Sequence, residues 1–180
     1  VYMESGFQFY RELLKHNGIL LHSSAVAYDG KAYLFSGPCG MGKSTHTRLW
    51  QQTFGEEAVV FNDDKPAIRK IDGVYYAYGT PWCGKDGINA NMKVPLAGIC
   101  FLKRGEENSI RRIHGFEAAK CIMAQTLHRF KDESNLSLML SFVDRLIEEI
   151  PIFELKNLPE PNAARLSYQT MCQAAKEVGL

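Results

Sequence analysis

The chain has 180 residues, 46% of them hydrophobic, which is enough for one buried core and predicts a single kinase-like, nucleotide-binding domain over residues 1–180. Its 21 lysines and arginines nearly balance its 20 aspartates and glutamates, so no strong charge favours nucleic acid or a membrane surface as a partner. The sequence has no apolar stretch of the roughly 20 residues that cross a bilayer and no signal peptide, which predicts a cytoplasmic protein.

Two kinds of apolar pattern alternate along the chain: a repeat of about 3.6 residues, which predicts a helix, and short apolar or alternating runs, which predict a strand. In chain order the predicted elements are a helix at 7–16, strands at 19–28 and 31–35, a helix at 44–52, strands at 58–61, 67–71, 74–78, 96–103 and 109–113, helices at 116–130 and 135–149, a strand at 152–156 and a helix after Pro161. The pairs Asp29-Gly30 and Asp72-Gly73 are typical of hairpin turns, which make neighbouring strands antiparallel. The expected class is therefore α/β with a mixed β-sheet, unlike the parallel sheets of most nucleotide-binding folds.

The most informative motif lies between the strand 31–35 and the helix 44–52. There, Gly37-Pro-Cys-Gly-Met-Gly-Lys-Ser44 matches the phosphate-loop pattern G-x-x-x-x-G-K-[ST] in full. Such a loop turns tightly at its glycines and directs backbone N–H groups and a helix N-terminus towards phosphate oxygens. Lys43 adds a cation, and the Ser44 hydroxyl suits an octahedral magnesium ion. The residues predicted to bind a nucleotide are Gly37, Pro38, Cys39, Gly40, Met41, Gly42, Lys43, Ser44 and Thr45.

A pair of carboxylates, Asp63 and Asp64, follows the predicted strand 58–61, which we expect to lie next to the strand that leads into the loop. Carboxylates at the end of such a strand can hold magnesium and can take a proton from an attacking hydroxyl. The alternative is an exposed turn before Pro66, in which an aspartate or asparagine side chain bonds to its own backbone.

Two weaker signals are His22 and the Gly-rich segment 79–93. A lone histidine within a strand, as His22 is predicted to be, is more often a hydrogen-bonded core residue than a catalyst. Long Gly-rich segments often act as lids or binding segments, although a surface loop without function is the alternative. We expect this segment to be mobile without ligand and to bring Lys85 to the substrate side of the site.

The order of these parts resembles the catalytic domain of HPr kinase/phosphorylase, a relative of the ATP-dependent phosphoenolpyruvate carboxykinases. The resemblance covers most of residues 19–103: a His-bearing strand, a hairpin into the loop 37–44, a strand that ends in Asp63-Asp64, and a Thr-Pro segment at 80–81. It implies a P-loop fold like that of the HPr kinase C-terminal domain and phosphoenolpyruvate carboxykinase. It also implies transfer of phosphate from ATP, with Mg²⁺, to a serine or another hydroxyl.

The same resemblance implies roles for individual residues. Asp63 would be the general base, His22 its neighbour, and Asp64 together with Ser44 would lie on the magnesium side, although the two aspartates can exchange roles. Lys43 and Lys85 complete the predicted catalytic set. The family's Glu-Ile-Arg-Gly-like signature has no counterpart, since Asn89-Ala-Asn-Met-Lys93 occupies that neighbourhood, which leaves the acceptor open.

Two alternatives to a hydroxyl kinase stay open at this point. One is a phosphoenolpyruvate carboxykinase-like enzyme, and the other is a regulatory module that binds a nucleotide without turnover. The expected partners are a nucleotide and a hydroxyl-bearing acceptor, which is a protein, a peptide or a small molecule. The sequence leaves open whether the chain forms a homo-oligomer.

Overall fold

The computed structural model of the chain describes residues 2–84, 86–126 and 133–180. Their helices are α1 (Tyr2–Lys15), α2 (Lys43–Phe54), α3 (Gly115–Gln125), α4 (Glu133–Glu149) and α5 (Pro161–Glu177). Their strands are β1 (Gly18–Leu20), β2 (Ser23–Tyr28), β3 (Lys31–Ser36), β4 (Val59–Asn62), β5 (Ala67–Ile71), β6 (Val74–Tyr78), β7 (Lys93–Arg104), β8 (Ser109–Ile113) and β9 (Ile152–Asn157).

All the strands of the described residues belong to one sheet with the order β1-β5-β6-β7-β3-β2-β4, while β9 pairs with β7 and β8 pairs with β9. The predicted mixed α/β class is confirmed, because β3 is antiparallel to β2 but parallel to β7. Both predicted hairpins are present at Asp29-Gly30 and Asp72-Gly73. All four turn residues have positive φ, from 49° to 82°, the region that two-residue hairpin turns require.

The predicted strand 19–28 is wrong in one respect, because the chain breaks it at Leu21-His22 into β1 and β2. β1 pairs with β5, whereas β2 pairs with β3 and β4, so the chain crosses between two parts of the sheet at this point. The residues on both sides of the break are buried, and the apolar pattern therefore continues through it. His22 consequently lies at a bend before β2 and not within a strand. Of the predicted helix 116–130, α3 ends at Gln125, and residues 127–132 lie outside the described ranges.

Helices cover both faces of the sheet. On one face, α1, α3 and α4 contribute to a core that includes Tyr10, Ile122 and Leu146. On the other face, α2 and α5 pack through residues such as Trp50 and Met171. This double cover explains the uninterrupted apolar run of β3, since residues of both its faces are buried. Among the described helices, none combines the length and the apolar character needed to cross a membrane.

The sheet order brings three chain segments to one edge. β2 is antiparallel to both β3 and β4, so the end of β3, the start of β2 and the end of β4 lie on the same side. The expectation that β4 lies next to β3 is wrong, because β2 separates them. The pairing nevertheless brings together the loop after β3, His22 before β2, and Asp63 after β4.

Candidate functional site

The loop between β3 and α2 has the backbone that its glycines predict. Gly37, Gly40 and Gly42 have φ values of 146°, 77° and 92°, and Gly42 is the N-cap of α2. No side chain caps this helix. The first N–H groups of a helix have no acceptor within it, so those of α2 are available to an anion at this end. Lys43 turns back onto the loop and donates to the carbonyl oxygens of Gly37, at 3.0 Å, and Pro38, at 3.1 Å.

A cleft of about 430 Å³ opens beside this helix N-terminus. It is lined by His22, Cys39, Gly40, Gly42, Lys43, Ser44, Thr45, Asp63, Gly84 and Asp86. The structure thus brings most of the predicted site residues together around one space. Gly37, Pro38, Met41 and Asp64 are not among the lining residues. The Met41 side chain instead packs against Gly37 and the core between the sheet and α2.

The turn that carries the two aspartates is fixed by Asn62, whose side chain is fully buried. Its Oδ1 accepts hydrogen bonds from the backbone N–H groups of Asp64, at 3.2 Å, and Lys65, at 2.9 Å. Its Nδ2 donates to the Thr80 carbonyl oxygen at 2.9 Å. The turn considered above as the alternative, in which a side chain bonds to its own backbone (an Asx turn), is therefore present. It is anchored in the core by Asn62, however, and it holds Asp63 at the cleft.

Asp63 and Asp64 have different surroundings. Asp63 lines the cleft, and its Oδ1 is buried without a hydrogen-bond partner in the described part of the chain. A buried carboxylate oxygen without a partner is costly, so this atom is suited to accept a hydrogen bond from a ligand. Asp64 Oδ1 is paired with Lys65 Nζ at 3.1 Å and lies 3.6 Å from His22 Nε2.

His22 is held from the opposite side by Gln125, the last residue of α3. The His22 backbone N–H donates to the Gln125 carbonyl oxygen at 2.9 Å, and His22 Nδ1 lies 3.2 Å from Gln125 Oε1. Burial lowers the pKa of His22, and the nearby cations Lys43 and Lys65 lower it further, whereas Asp64 opposes them. The imidazole is therefore neutral at pH 7.

Lys43 is a lysine among the described residues that line the cleft. Burial is the main cause that lowers its pKa, and its neighbours Cys39, Asp64 and Asp63 oppose this shift. Half-burial strengthens the attraction of an ammonium group for an anion, because less water screens the interaction. Among the described residues, the Lys43 ammonium donates hydrogen bonds only to these two loop carbonyl oxygens, and phosphate oxygens can replace them as acceptors.

Gly84 and Asp86, from the segment 79–93, line the cleft on the side away from the glycine loop. Backbone hydrogen bonds join the segment to β4 and to the turn after it: Ala90 N donates to Phe61 O at 2.8 Å, and Asp63 N donates to Ile88 O at 3.2 Å. Gly79 and Gly84 permit this close approach, because added Cβ atoms would lie 1.8 Å from the Ala90 oxygen and 2.8 Å from the Asp63 oxygen. These two glycines thus have a packing role, and the mobility of the segment stays a prediction. Lys85 lies outside the described residues, so its catalytic role also stays a prediction.

Several residues of the site were not predicted. Lys65 directly follows the aspartates in the sequence, so a cation next to them could have been predicted from that position alone. Asn62 also adjoins them, but its burial depends on packing against Thr80. Gln125 lies 103 positions from His22, and Asp86 pairs with Arg48, 38 positions away. No local pattern connects such residues.

The oxygen donors around the cleft are of the type that magnesium prefers, namely carboxylate and hydroxyl groups. Ser44 and Asp63 line the same space. Within the described ranges, no three His, Cys, Asp or Glu side chains form a metal-binding cluster. Magnesium at nucleotide sites usually takes one or two protein ligands together with phosphates and water, so the residues present fit such an ion.

Comparisons with known proteins give one family match and a distant structural likeness. The model of the family described as "SynChlorMet cassette protein ScmC" matches residues 2–156. A search of curated proteins finds no match. Among solved structures, the HPr(Ser) kinase/phosphatase from Coxiella burnetii is similar at 10% sequence identity and a TM-score of 0.47. That likeness covers 88% of this chain and 95% of the Coxiella chain.

Proposed function

The chain belongs to the ScmC family, and we propose that it is an ATP-dependent phosphotransferase that acts on a hydroxyl acceptor, such as a serine. One observation carries this proposal. The cleft has a glycine loop, free helix N–H groups and Lys43 on one wall, and the unpartnered carboxylate oxygen of Asp63 on another. The first wall suits a triphosphate, and the second suits the group that attacks it.

Lys43 and the start of α2 bind the β and γ phosphates in this proposal. The ammonium exchanges the Gly37 and Pro38 carbonyl oxygens for phosphate oxygens, which carry more negative charge. Attraction between unit charges at 4 Å is about 4 kcal/mol at an effective dielectric constant near 20, before desolvation is subtracted. The Ser44 hydroxyl would hold magnesium at the cleft, and Asp64, which adjoins the cleft without lining it, would contribute through a water molecule. The ion would neutralise phosphate charge and orient the γ-phosphoryl group.

Asp63 acts as the general base. The acceptor hydroxyl oxygen forms a bond to the γ-phosphorus, the bond from that phosphorus to the β–γ bridging oxygen breaks, and ADP leaves. Asp63 takes the hydroxyl proton during this step. His22 lies 3.6 Å from Asp64, and because it is neutral at pH 7 it adds no positive charge that would compete with magnesium for the carboxylates.

The proposal is tested by transfer of the γ-phosphate from labelled ATP to a set of acceptors. The set includes serine-containing peptides encoded beside the gene, free serine and small alcohols. The variants are Lys43→Ala and Asp63→Asn, with Lys31→Ala and Asp29→Asn as matched controls. Lys31 and Asp29 lie at the opposite end of the β2–β3 hairpin from the cleft.

We expect Lys43→Ala to lower MgATP affinity by about one to three orders of magnitude and to abolish transfer. Asp63→Asn should bind MgATP almost normally and lose about two to four orders of magnitude in rate. Normal nucleotide binding by Lys43→Ala would contradict the proposed nucleotide site. Nucleotide binding without transfer to any acceptor, unchanged by Asp63→Asn, would indicate a regulatory module instead of a kinase.

A further inference from the structure

An ion pair lies beside the cleft. Asp86, on the segment 79–93, lines the cleft together with Ser44 and Thr45, and its Oδ2 is paired with Arg48 Nη2 of α2. Arg48 lies four residues after Ser44 and three after Thr45, so it shares their face of the helix. The guanidinium is therefore next to the cleft: it is paired with a lining residue, Asp86, and lies one turn beyond the helix N-terminus.

The pair is weakly held. The side chains of Arg48 and Asp86 are 54% and 46% exposed, and exposed ion pairs of this kind contribute little to stability. No other hydrogen bond or ion pair involves the Arg48 side chain within the described residues. The arginine is thus free to change partner at low cost.

A bound triphosphate changes the electrostatics of both side chains. Its negative charge would repel the Asp86 carboxylate, which forms part of the wall, and attract the guanidinium, which can bind phosphate oxygens in a bidentate manner. Arg48 is a cation on the same face of α2 as Ser44 and Thr45, and it lies outside the loop motif 37–44. In the described structure its guanidinium is paired with Asp86.

We propose that Arg48 is a second phosphate-binding cation of the site and that Asp86 competes with the nucleotide for it. This inference rests on the proposed nucleotide site and extends it to a residue outside the loop motif. Removal of the competing carboxylate then strengthens nucleotide binding, and removal of the arginine weakens it. The benefit of removing Asp86 depends on the presence of Arg48.

The experiment is a double-mutant cycle on MgATP affinity, measured by calorimetry with the full chain. The variants are Arg48→Gln, Asp86→Asn and their combination, with Arg112→Gln and Asp29→Asn as controls. Arg112 is exposed on β8, which two strands separate from β3 in the sheet. Circular dichroism verifies that each variant is folded.

Arg48→Gln should weaken MgATP binding by about three- to tenfold, and Asp86→Asn should strengthen it by about two- to fivefold. In the Arg48→Gln background, Asp86→Asn should have at most half of that effect on a logarithmic scale. Unchanged affinity in Arg48→Gln, or weaker binding in Asp86→Asn, would overturn the inference while the nucleotide site stands. If the wild-type protein does not bind MgATP, the proposed function itself fails.

Discussion

Asn62 is expected to be the residue that keeps the turn carrying Asp63 and Asp64 in place, and Asn62→Ala tests this directly. The buried side chain accepts hydrogen bonds from two backbone N–H groups and donates one to the Thr80 carbonyl oxygen. A hydrogen bond contributes about 1 kcal/mol net, and a buried group left without a partner costs about 1–3 kcal/mol. The Lys65 N–H keeps a second acceptor, the Trp82 carbonyl oxygen at 3.3 Å, whereas the Asp64 N–H and the Thr80 oxygen lose these contacts.

The resulting loss in the free energy of unfolding is about 2–4 kcal/mol. The assay is equilibrium unfolding in urea, followed by circular dichroism and tryptophan fluorescence, with the exposed Asn91→Ala as the control. Asn62→Asp, which has nearly the same shape but turns a carboxylate towards the Thr80 carbonyl, should be at least as destabilising at neutral pH. A loss no larger than that of Asn91→Ala would refute the reasoning, because it would mean that the turn is held by its backbone alone.

Three further predictions concern other parts of the molecule. Asp64→Asn should raise the magnesium concentration needed for half-maximal transfer more than it lowers the maximal rate; the reverse pattern would exchange its role with that of Asp63. Gly79→Ala should lower the urea midpoint clearly, because its Cβ would lie 1.8 Å from the Ala90 carbonyl oxygen, and a midpoint unchanged from wild type would contradict this packing role. Burial lowers the pKa of His46 to about 3. Since the unfolded chain takes up this proton near pH 6.5, stability should fall by up to about 1.4 kcal/mol per pH unit from there towards pH 3. His46→Gln should reduce that slope, which urea midpoints at several pH values measure.

The sequence by itself determined the features that depend on neighbours in the chain. Asp29-Gly30 and Asp72-Gly73 adopt the positive φ values of hairpin turns, which few other pairs adopt without strain. Gly37, Gly40 and Gly42 likewise give the loop before α2 its backbone. The mixed sheet could be predicted for two reasons. The hairpin turns make their strands antiparallel, and the apolar strand before the loop has the pattern of a strand buried on both faces, which is typical of parallel pairing.

Only the tertiary structure decided which distant residues meet. The break at Leu21-His22 is invisible in sequence, because buried residues flank it on both sides and the apolar pattern does not change. Gln125 meets His22, and Asp86 meets Arg48, through the order of strands in the sheet and the packing of α3 and the segment 79–93. Strand order is set by the summed burial of whole elements and not by any local preference, so a pattern of neighbouring residues cannot encode these contacts.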